Sequence, residues 1–326
     1  MYSFIAEILI MVKSVVMRLG IRKVVRKKIK YKLIYHFIIS IISFANLIPR
    51  KQWLYICGLI GNLFCLLAPK LRRQTEANLL IAYKNEKSLH EIKQLSRQVF
   101  IRLGKSGGFA LRNVKGSSSK FHALSVTHGQ QYGEEAFKSG RGVIFLTAHL
   151  GPFECIAHEL SLRGYRPFIV GTPLRDPLLN GILVQNRTKF GAVCVERGKE
   201  THRIMKNIMT GGTMAILIDQ DTRVKSVFVN FFGKPCSTPV GATVLALKTG
   251  AAVIPVFAHL NSSGKLEINY YPEVEMKRTG DEEKDIVTNT QTMTTIIENE
   301  IRKFPEQWVW MHRRWKTVEG AAHKLA

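Results

Sequence analysis

The sequence contains little cysteine, and what it contains is dispersed. Five cysteines are scattered along 326 residues, and no two of them form a CxxC pair. This spacing argues against a disulfide framework and against a zinc cluster, and it fits a reducing environment such as the cytoplasm. A secretory signal is also missing, because Glu7 interrupts the first apolar run and no small-residue cleavage pattern follows it.

Acidic residues are scarce as well. The chain has 24 aspartates and glutamates against 48 lysines and arginines, which gives a formal net charge of +24. A balance this basic indicates an anionic partner. No glycine–aromatic platform or groove-reading motif accompanies the charge, so we expect an anionic membrane surface and no nucleic acid. Hydrophobic residues make up 46% of the chain, which excludes the disordered class and allows a sizeable core.

An uninterrupted apolar run that comfortably spans a bilayer, roughly 20 residues, is missing too. Instead, the densely basic stretch VKSVVMRLGIRKVVRKKIKYK is followed by shorter apolar runs with basic flanks, and Trp53 and Tyr55 stand near the start of one of them. These features predict helices that lie in or on the membrane interface, with the two aromatic side chains as anchors. A solvated basic helix followed by an ordinary core helix is the alternative interpretation.

The later part of the chain alternates short apolar runs with helical patterns. We predict membrane-anchoring helices over residues 1–70, a helical lead-in over 71–120, and an α/β domain over 121–326 with a layered, largely parallel (mixed) central sheet flanked by helices. TPVGATVLALKTG reads as a helix with Thr238 as N-cap and Pro239 in its first turn, and FFGKPCSTP reads as a turn. Ligands bind beyond the carboxyl ends of strands in such sheets, where His149 and the segment DQD (219–221) fall.

The stretch TAHLGPFECIAHEL, which follows the predicted strand GVIFL, holds the strongest candidates for chemistry. His149 lies just past the strand end, and Glu154 lies in the first turn of the next predicted helix. We expect the junction to bring Glu154 to one imidazole nitrogen. A carboxylate on Nδ1 raises the basicity of the ring and leaves Nε2 as a general base. The nucleophile of a serine triad is missing, and a substrate hydroxyl would supply it.

Spacing alone leaves other interpretations of this stretch open. His149, Glu154 and His158 are candidates to gather a metal, although the spacing is not HExxH and no further ligand cluster is evident. Cys155 is a candidate nucleophile, although a small core residue is the simpler interpretation. A third alternative is that His149 only caps the junction and that Glu154 stabilises the helix N-terminus.

TAHLGPFE resembles the His-x4-Asp/Glu motif of glycerolipid-type acyltransferases. More specifically, the chain resembles the late acyltransferases of lipid A biosynthesis, the lauroyl/myristoyl transferase family, from about residue 48 to residue 316. Members of that family carry either aspartate or glutamate at the position that corresponds to Glu154. The blocks that carry the likeness are GLIGNLFCLLAPKLRRQTEANLLIAY, DPLLNGILVQNRTKFGA, ILIDQD with VFVNFFGKPCSTPVGATVLALKTGAAVIPVF, and PEQWVWMHRRWKT.

The resemblance implies an enzyme that moves a fatty acyl chain from an acyl carrier protein (or CoA) thioester to a hydroxyl of a lipid A precursor or related phosphorylated glycolipid. It also implies action at the cytoplasmic face of the bacterial inner membrane, with no cofactor and no metal. His149 and Glu154 are the expected catalytic residues. Alternatives are a different acceptor, such as a lysophospholipid or an aminolipid, and a non-catalytic basic membrane scaffold.

Further residues are expected to bind substrate. Arg187 matches the family's arginine and is expected at the substrate phosphate or the oxyanion, and Arg175 lies where related acyltransferases bind acceptor phosphate. Asp219 and Asp221 either contact the acceptor, hold basic side chains such as Arg223, or serve in caps and turns. A last pair, Phe231 and Phe232, is expected either at the wall of the acyl pocket or in the core.

Overall fold

The computed structural model describes residues 23–320 of the chain, which form helices around one large sheet and a separate hairpin. The helices are α1 (Lys23–Ala45), α2 (Arg50–Leu67), α3 (Pro69–Tyr83), α4 (Leu89–Asn113), α5 (Ser118–Leu124), α6 (Gln130–Lys138), α7 (Cys155–Leu162), α8 (Pro177–Thr188), α9 (Thr201–Met209), α10 (Gly241–Thr249), α11 (Glu282–Lys303) and a short 3₁₀ turn (Pro305–Gln307). The strands are β1 (Ser125–His128), β2 (Val143–Thr147), β3 (Phe168–Gly171), β4 (Val193–Glu196), β5 (Thr213–Leu217), β6 (Ser226–Phe231), β7 (Lys234–Pro239), β8 (Ala252–Leu260) and β9 (Leu266–Tyr270).

The sheet has seven strands in the order β1-β9-β8-β2-β5-β3-β4. Neighbouring strands from β8 to β4 are parallel, β9 pairs antiparallel with β8, and β1 pairs parallel with β9. The predicted α/β class with a largely parallel, mixed sheet flanked by helices is therefore confirmed.

The core lies on both faces of the sheet. All five residues of β2 are buried, and they alternate between two apolar clusters: Ile144 and Leu146 pack on one face, Val143 and Phe145 on the other. A strand covered on both faces reads as a continuous apolar run, which is why GVIFL shows no polar alternation. The site at the end of β2 thus stands on a rigid, fully buried support.

The segment after β5 differs from the prediction. Thr238 and Pro239 do not open a helix, because they end strand β7, in which Thr238 pairs with Val227 of β6. Helix α10 begins two residues later, and the predicted turn FFGKPCSTP is most of the β6–β7 hairpin. The cause is tertiary: the buried guanidinium of Arg314 donates hydrogen bonds to the carbonyl of Ser237 and the hydroxyl of Thr238, which occupies the group that would have capped the helix.

The N-terminal helices are built into the fold. Helix α2 packs along α4, and Trp53 of α2 is buried and donates its indole N–H to the carbonyl oxygen of Gly108 at 2.9 Å. The prediction that Trp53 is an interfacial anchor is therefore wrong, whereas Tyr55 is exposed. Within residues 23–320 no helix is, by itself, long and apolar enough for a bilayer span; α2 and α3 together have the necessary length and composition, but they meet at a bend of 94°.

Candidate active site

The site lies at the carboxyl edge of the sheet, where two adjacent strands end. Strands β2 and β5 are parallel neighbours, and Thr147 is paired with Leu217 at their ends. His149 and Asp219 each follow two residues after this pair. Because parallel strands with the same register end at the same edge, the two side chains are brought together although 70 residues separate them in the chain.

Asp219 holds His149 by two hydrogen bonds. One carboxylate oxygen lies 2.8 Å from imidazole Nδ1, and the other accepts the backbone N–H of His149 at 2.8 Å. The indole N–H of Trp308 donates to that second oxygen, also at 2.8 Å. Burial would raise the pKa of Asp219, but the charge of His149 and these hydrogen bonds lower it to about 2. An ionised carboxylate only accepts, so Nδ1 carries a proton, and in the neutral form of the ring the lone pair is on Nε2.

The imidazole is the accessible part of this arrangement. The side chain of Asp219 is fully buried, whereas a quarter of the His149 side chain is exposed. The ring lies edge-on to Phe153, with 4.8 Å between the ring centroids, and no residue in the described range 23–320 hydrogen-bonds Nε2. The geometry is that of a base held from behind by a buried carboxylate, with its basic nitrogen open to a substrate.

Glu154 has a different partner from the one predicted. Its two carboxylate oxygens accept hydrogen bonds from Nε and Nη2 of Arg187 at 2.8 and 2.7 Å. The expected contact of Glu154 with the imidazole is therefore wrong, since Asp219 occupies Nδ1. The reason is local geometry: Glu154 stands at the N-cap position of α7 with no side-chain cap hydrogen bond, and α8, which carries Arg187, lies alongside.

The Glu154–Arg187 pair is largely withdrawn from water. The exposed fractions of the two side chains are 9% for Glu154 and 15% for Arg187. Burial raises the pKa of Glu154, but the adjacent guanidinium and its hydrogen bonds outweigh burial, so the pKa lies below its ordinary value. The carboxylate and the guanidinium consequently remain a charged, two-bond pair beside the imidazole.

Gly151 allows the junction between His149 and α7 to lie directly on the sheet. Its φ is +53°, and a Cβ at this position would lie 2.5 Å from the carbonyl oxygen of Ala258 in β8. Its N–H donates to the carbonyl of Gln307 at 2.9 Å, and the Gln307 amide in turn exchanges two hydrogen bonds with the backbone of Leu260. The positive φ and the close carbonyl oxygen of Ala258 together require glycine at this position. The hydrogen bonds of Gln307 fix the C-terminal segment that carries Trp308 against the junction.

The remaining predicted binding residues fall into two groups. Arg175 is exposed in the loop after β3, at the same edge of the sheet as His149. The Asp221 carboxylate, by contrast, is buried and accepts the backbone N–H of Thr317 at 3.0 Å, while Lys316 donates to the Asp221 carbonyl at 2.9 Å. Asp221 therefore holds the C-terminal segment, and Asp219 orients the histidine; neither carboxylate holds Arg223 or is open to an acceptor.

The cysteine and metal interpretations of the opening stretch find no support in the geometry of residues 23–320. Cys155 is buried, and burial raises the pKa of its thiol well above the ordinary value, so it is not a reactive nucleophile. His158 is buried with Nε2 against the carbonyl of Asn186 at 2.6 Å, apart from the His149–Asp219 pair. Among residues 23–320 no three histidine, cysteine, aspartate or glutamate side chains stand together in an arrangement that would hold a metal ion.

An apolar cavity of about 330 Å³ lies between α1, α2, α4 and α8. Glu154 is the one charged side chain among the described residues that line it, so the cavity reaches the ion pair beside the imidazole. Phe231 and Phe232 are absent from this wall. They are buried in an aromatic cluster with Trp308 and Trp310, so the core alternative of their prediction is the correct one.

Trp308 and the role of Asp219 were missed by the sequence reasoning. Trp308 belongs to the block PEQWVWMHRRWKT, which carries part of the family resemblance. Nothing in the sequence of this block indicates that one of its side chains contacts the site. A usable signal existed for Asp219: like His149, it stands just beyond the end of a buried strand. The sequence does not show, however, that the two strands are neighbours in the sheet.

Several known proteins are similar in sequence to this chain. Residues 22–317 match the family described as bacterial lipid A biosynthesis acyltransferase. A lipid A biosynthesis acyltransferase of Haemophilus influenzae is 24% identical over 75% of this chain and 75% of its own length. The lipid A biosynthesis lauroyltransferase of Escherichia coli is 27% identical over 54% of this chain and 55% of its own length. A phosphatidylinositol mannoside acyltransferase of Mycolicibacterium smegmatis is 25% identical over 55% and 59%, respectively.

Proposed function

The chain belongs to the bacterial lipid A biosynthesis acyltransferase family, and from this premise we propose which groups it joins and how. We propose that it transfers a fatty acyl chain from an acyl carrier protein (or CoA) thioester to a hydroxyl of a lipid A precursor or related phosphorylated glycolipid. The observation that carries the proposal is the His149–Asp219 hydrogen bond of 2.8 Å, with Nε2 open at the edge of the sheet. A base without a protein nucleophile suits a reaction in which the acceptor brings its own hydroxyl.

The proposed reaction is a direct transfer. Nε2 of His149 takes the proton of the acceptor hydroxyl as its oxygen attacks the thioester carbonyl. The new C–O bond forms, the C–S bond breaks when the tetrahedral intermediate collapses, and the imidazolium returns its proton to the leaving thiolate. Asp219 is a positioning residue: it holds the ring by two hydrogen bonds and stabilises the imidazolium. Trp308 positions Asp219 in turn.

The cavity is the proposed site of the acyl chain. Its described lining is apolar apart from Asn186 and Glu154, and Glu154 belongs to the ion pair with Arg187. A chain bound there has its carbonyl close to the Glu154–Arg187 pair and to His149. We therefore assign Glu154 a role different from the predicted one: its two hydrogen bonds fix the Arg187 guanidinium beside the place where we propose that the oxyanion develops.

Positive charge at the edge of the sheet supports an anionic acceptor. Arg175 is exposed beyond the end of β3, on the same edge as the imidazole, and we propose that it contacts the acceptor phosphate. The excess of basic over acidic residues, a formal charge of +24, also favours an acidic carrier protein and an anionic bilayer. The cytoplasmic face of the inner membrane is where such a donor and such a lipid meet.

Mass spectrometry of the lipid products tests the proposed function. The purified full chain is incubated with acyl carrier protein thioesters of graded length and with a panel of acceptors: a lipid A precursor, a phosphatidylinositol mannoside, a lysophospholipid and an aminolipid. We expect transfer to the lipid A precursor and a loss of about 10²–10⁴-fold in the His149→Gln variant, since the general base is removed. A folded wild-type chain that acylates no acceptor would instead support the non-catalytic scaffold.

Membrane binding is proposed for the outer surface of the N-terminal helices. Exposed apolar side chains follow one face of α2, and they include Tyr55, Leu59, Leu63, Leu66 and Leu67, of which Leu67 is 71% exposed. A contiguous apolar face of this kind marks a surface that is covered in the working protein. Between residues 8 and 75 the sequence has no aspartate or glutamate, which favours an anionic bilayer as the cover.

Co-sedimentation with vesicles tests whether this surface of α2 binds a membrane. We expect the full chain to bind vesicles that contain an anionic phospholipid, and the double variant Leu59→Gln/Leu63→Gln to bind at least roughly tenfold more weakly, because each leucine loses apolar transfer energy. The matched control is Met209→Gln/Val287→Gln, which removes two exposed apolar side chains from α9 and α11. Equal vesicle binding by the two double variants would refute the assignment of α2 to the membrane surface.

A further inference from the structure

Helix α4 contains three glycines in its second half, Gly104, Gly107 and Gly108. A glycine inside a helix costs about 1 kcal/mol relative to alanine, so each one calls for a reason. Two have the same reason. A Cβ on Gly104 would lie 2.2 Å from the carbonyl oxygen of Cys57 in α2, and a Cβ on Gly108 would lie 2.4 Å from the Cys57 sulfur. Both are glycine because α2 and α4 touch there.

Gly107 has no such neighbour. Apart from its chain neighbours and the backbone of its own helix, no described atom lies within 4 Å of the position that its Cβ would occupy, and its φ is not in the left-handed region. Within residues 23–320, therefore, neither a contact nor the backbone conformation explains the glycine. What Gly107 does have is a place in the wall of the apolar cavity, between Leu103 and Leu111 on the same face of α4. The space left by its missing side chain is part of that cavity.

We propose that Gly107 is a specificity-determining residue, which sets how long an acyl chain the cavity accepts. This inference rests on the proposed acyl transfer and on the cavity as the site of the acyl chain. A side chain at position 107 would occupy volume that the outer methylenes of a long chain fill. Each methylene that finds no apolar surroundings loses about 0.8 kcal/mol, which is roughly fourfold in kcat/KM. Position 107 affects which lengths of acyl chain the cavity accepts and leaves the bond-forming groups unchanged.

The chain supplies a matched control in Gly181. It also lies inside a helix, α8, and also has no atom within 4 Å of its missing Cβ, but it is not part of the cavity wall. A substitution at Gly181 therefore changes helix propensity in the same direction as one at Gly107. Only the substitution at position 107 places a side chain in the cavity and reduces its volume.

The experiment compares the wild-type chain with Gly107→Ala, Gly107→Leu and Gly181→Leu, using acyl carrier protein thioesters in steps of two methylenes. For Gly107→Leu we expect kcat/KM for the longest accepted donor to fall at least tenfold relative to a donor four methylenes shorter, while the short donor reacts at a rate near that of the wild type. Gly107→Ala adds one methyl group in open space and is expected to fold, with a shift of about fourfold in the same direction. Gly181→Leu should keep the wild-type length profile.

A second readout does not need turnover: the change in melting temperature on addition of saturated fatty acids of graded length. We expect the length that stabilises most to be shorter for Gly107→Leu than for the wild type and for Gly181→Leu. A wild-type chain that transfers no acyl group overturns the proposed function. A wild-type chain that transfers, with the same length profile in both Gly107 variants, overturns the inference while the proposed function stands. If Gly107→Leu does not fold, the profile of Gly107→Ala decides.

Discussion

Asp219→Asn lowers kcat by about 10²–10⁴-fold and leaves the fold in place. The reason lies in the hydrogen bonds that the carboxylate accepts. The backbone N–H of His149 and the indole N–H of Trp308 both donate to one oxygen, and an asparagine oxygen placed there keeps both. Its NH₂ group then faces imidazole Nδ1, which must become an acceptor. The ring proton moves to Nε2, and the general base is lost.

Three measurements separate this effect from a loss of structure. The melting temperature of Asp219→Asn should stay near that of the wild type, and nitrogen NMR of the labelled imidazole should report the proton on Nε2 in the variant and on Nδ1 in the wild type. Because the pKa of Asp219 is held at about 2, the carboxylate is ionised throughout the pH range of an assay. The Asp219 carboxylate therefore remains an acceptor for His149 over that whole range.

Asp221→Asn is the matched comparison for Asp219→Asn. Its carboxylate is equally buried and stands two residues away, but it accepts from the backbone of Thr317 and not from the imidazole. We expect it to lower the melting temperature and to reduce kcat far less than Asp219→Asn. Similar losses of kcat in the two variants, or an unchanged imidazole tautomer in Asp219→Asn, would contradict the assigned role of Asp219.

Arg187→Met destabilises the folded chain by about 3–5 kcal/mol. The substitution leaves the Glu154 carboxylate buried with no guanidinium to donate to either oxygen, and an unpaired buried charge is among the most unfavourable groups in a protein interior. The folded-state pKa of Glu154, now below its ordinary value, should rise in the variant, because the guanidinium that lowers it most is removed while burial remains. Stability is measured by denaturant unfolding in detergent, where the midpoint should shift to lower denaturant concentration.

A double-mutant cycle identifies the pair as the cause. Glu154→Gln with Arg187→Met removes both charges, so we expect the double variant to be more stable than the sum of the two single losses implies. Arg175→Met makes the same chemical change at an exposed arginine and should alter the unfolding free energy by less than about 0.5 kcal/mol. Strictly additive losses in the cycle would exclude a direct coupling between Glu154 and Arg187.

The sequence predicted the α/β class because buried parallel strands read as apolar runs between helical patterns, as VIFLT and TMAIL do. It did not predict that Thr238 ends a strand, since the deciding contact comes from Arg314, 76 residues away. Local patterns report helix caps and strand propensity. They do not report a buried guanidinium that arrives from the other end of the chain and takes the capping hydroxyl.

The same limit applied to the candidate site. His149 was predictable because it follows a strand and precedes a helix, both of which are local features. Its partner was assigned to Glu154, which is near in sequence, whereas the structure places Asp219 against Nδ1. That placement depends on β5 lying next to β2, with β3 and β4 beyond it. The order of strands in a sheet cannot be read from the residues of any one strand.

The distances along the chain within this small group of side chains have a kinetic consequence. His149 and Asp219 are 70 residues apart, and Asp219 and Trp308 are 89 residues apart. Contacts of such long range form late, because the large loops between them must close first. A partly folded chain that already presents its apolar N-terminal helices therefore has no oriented imidazole. We therefore expect the proposed transfer only from completely folded chains.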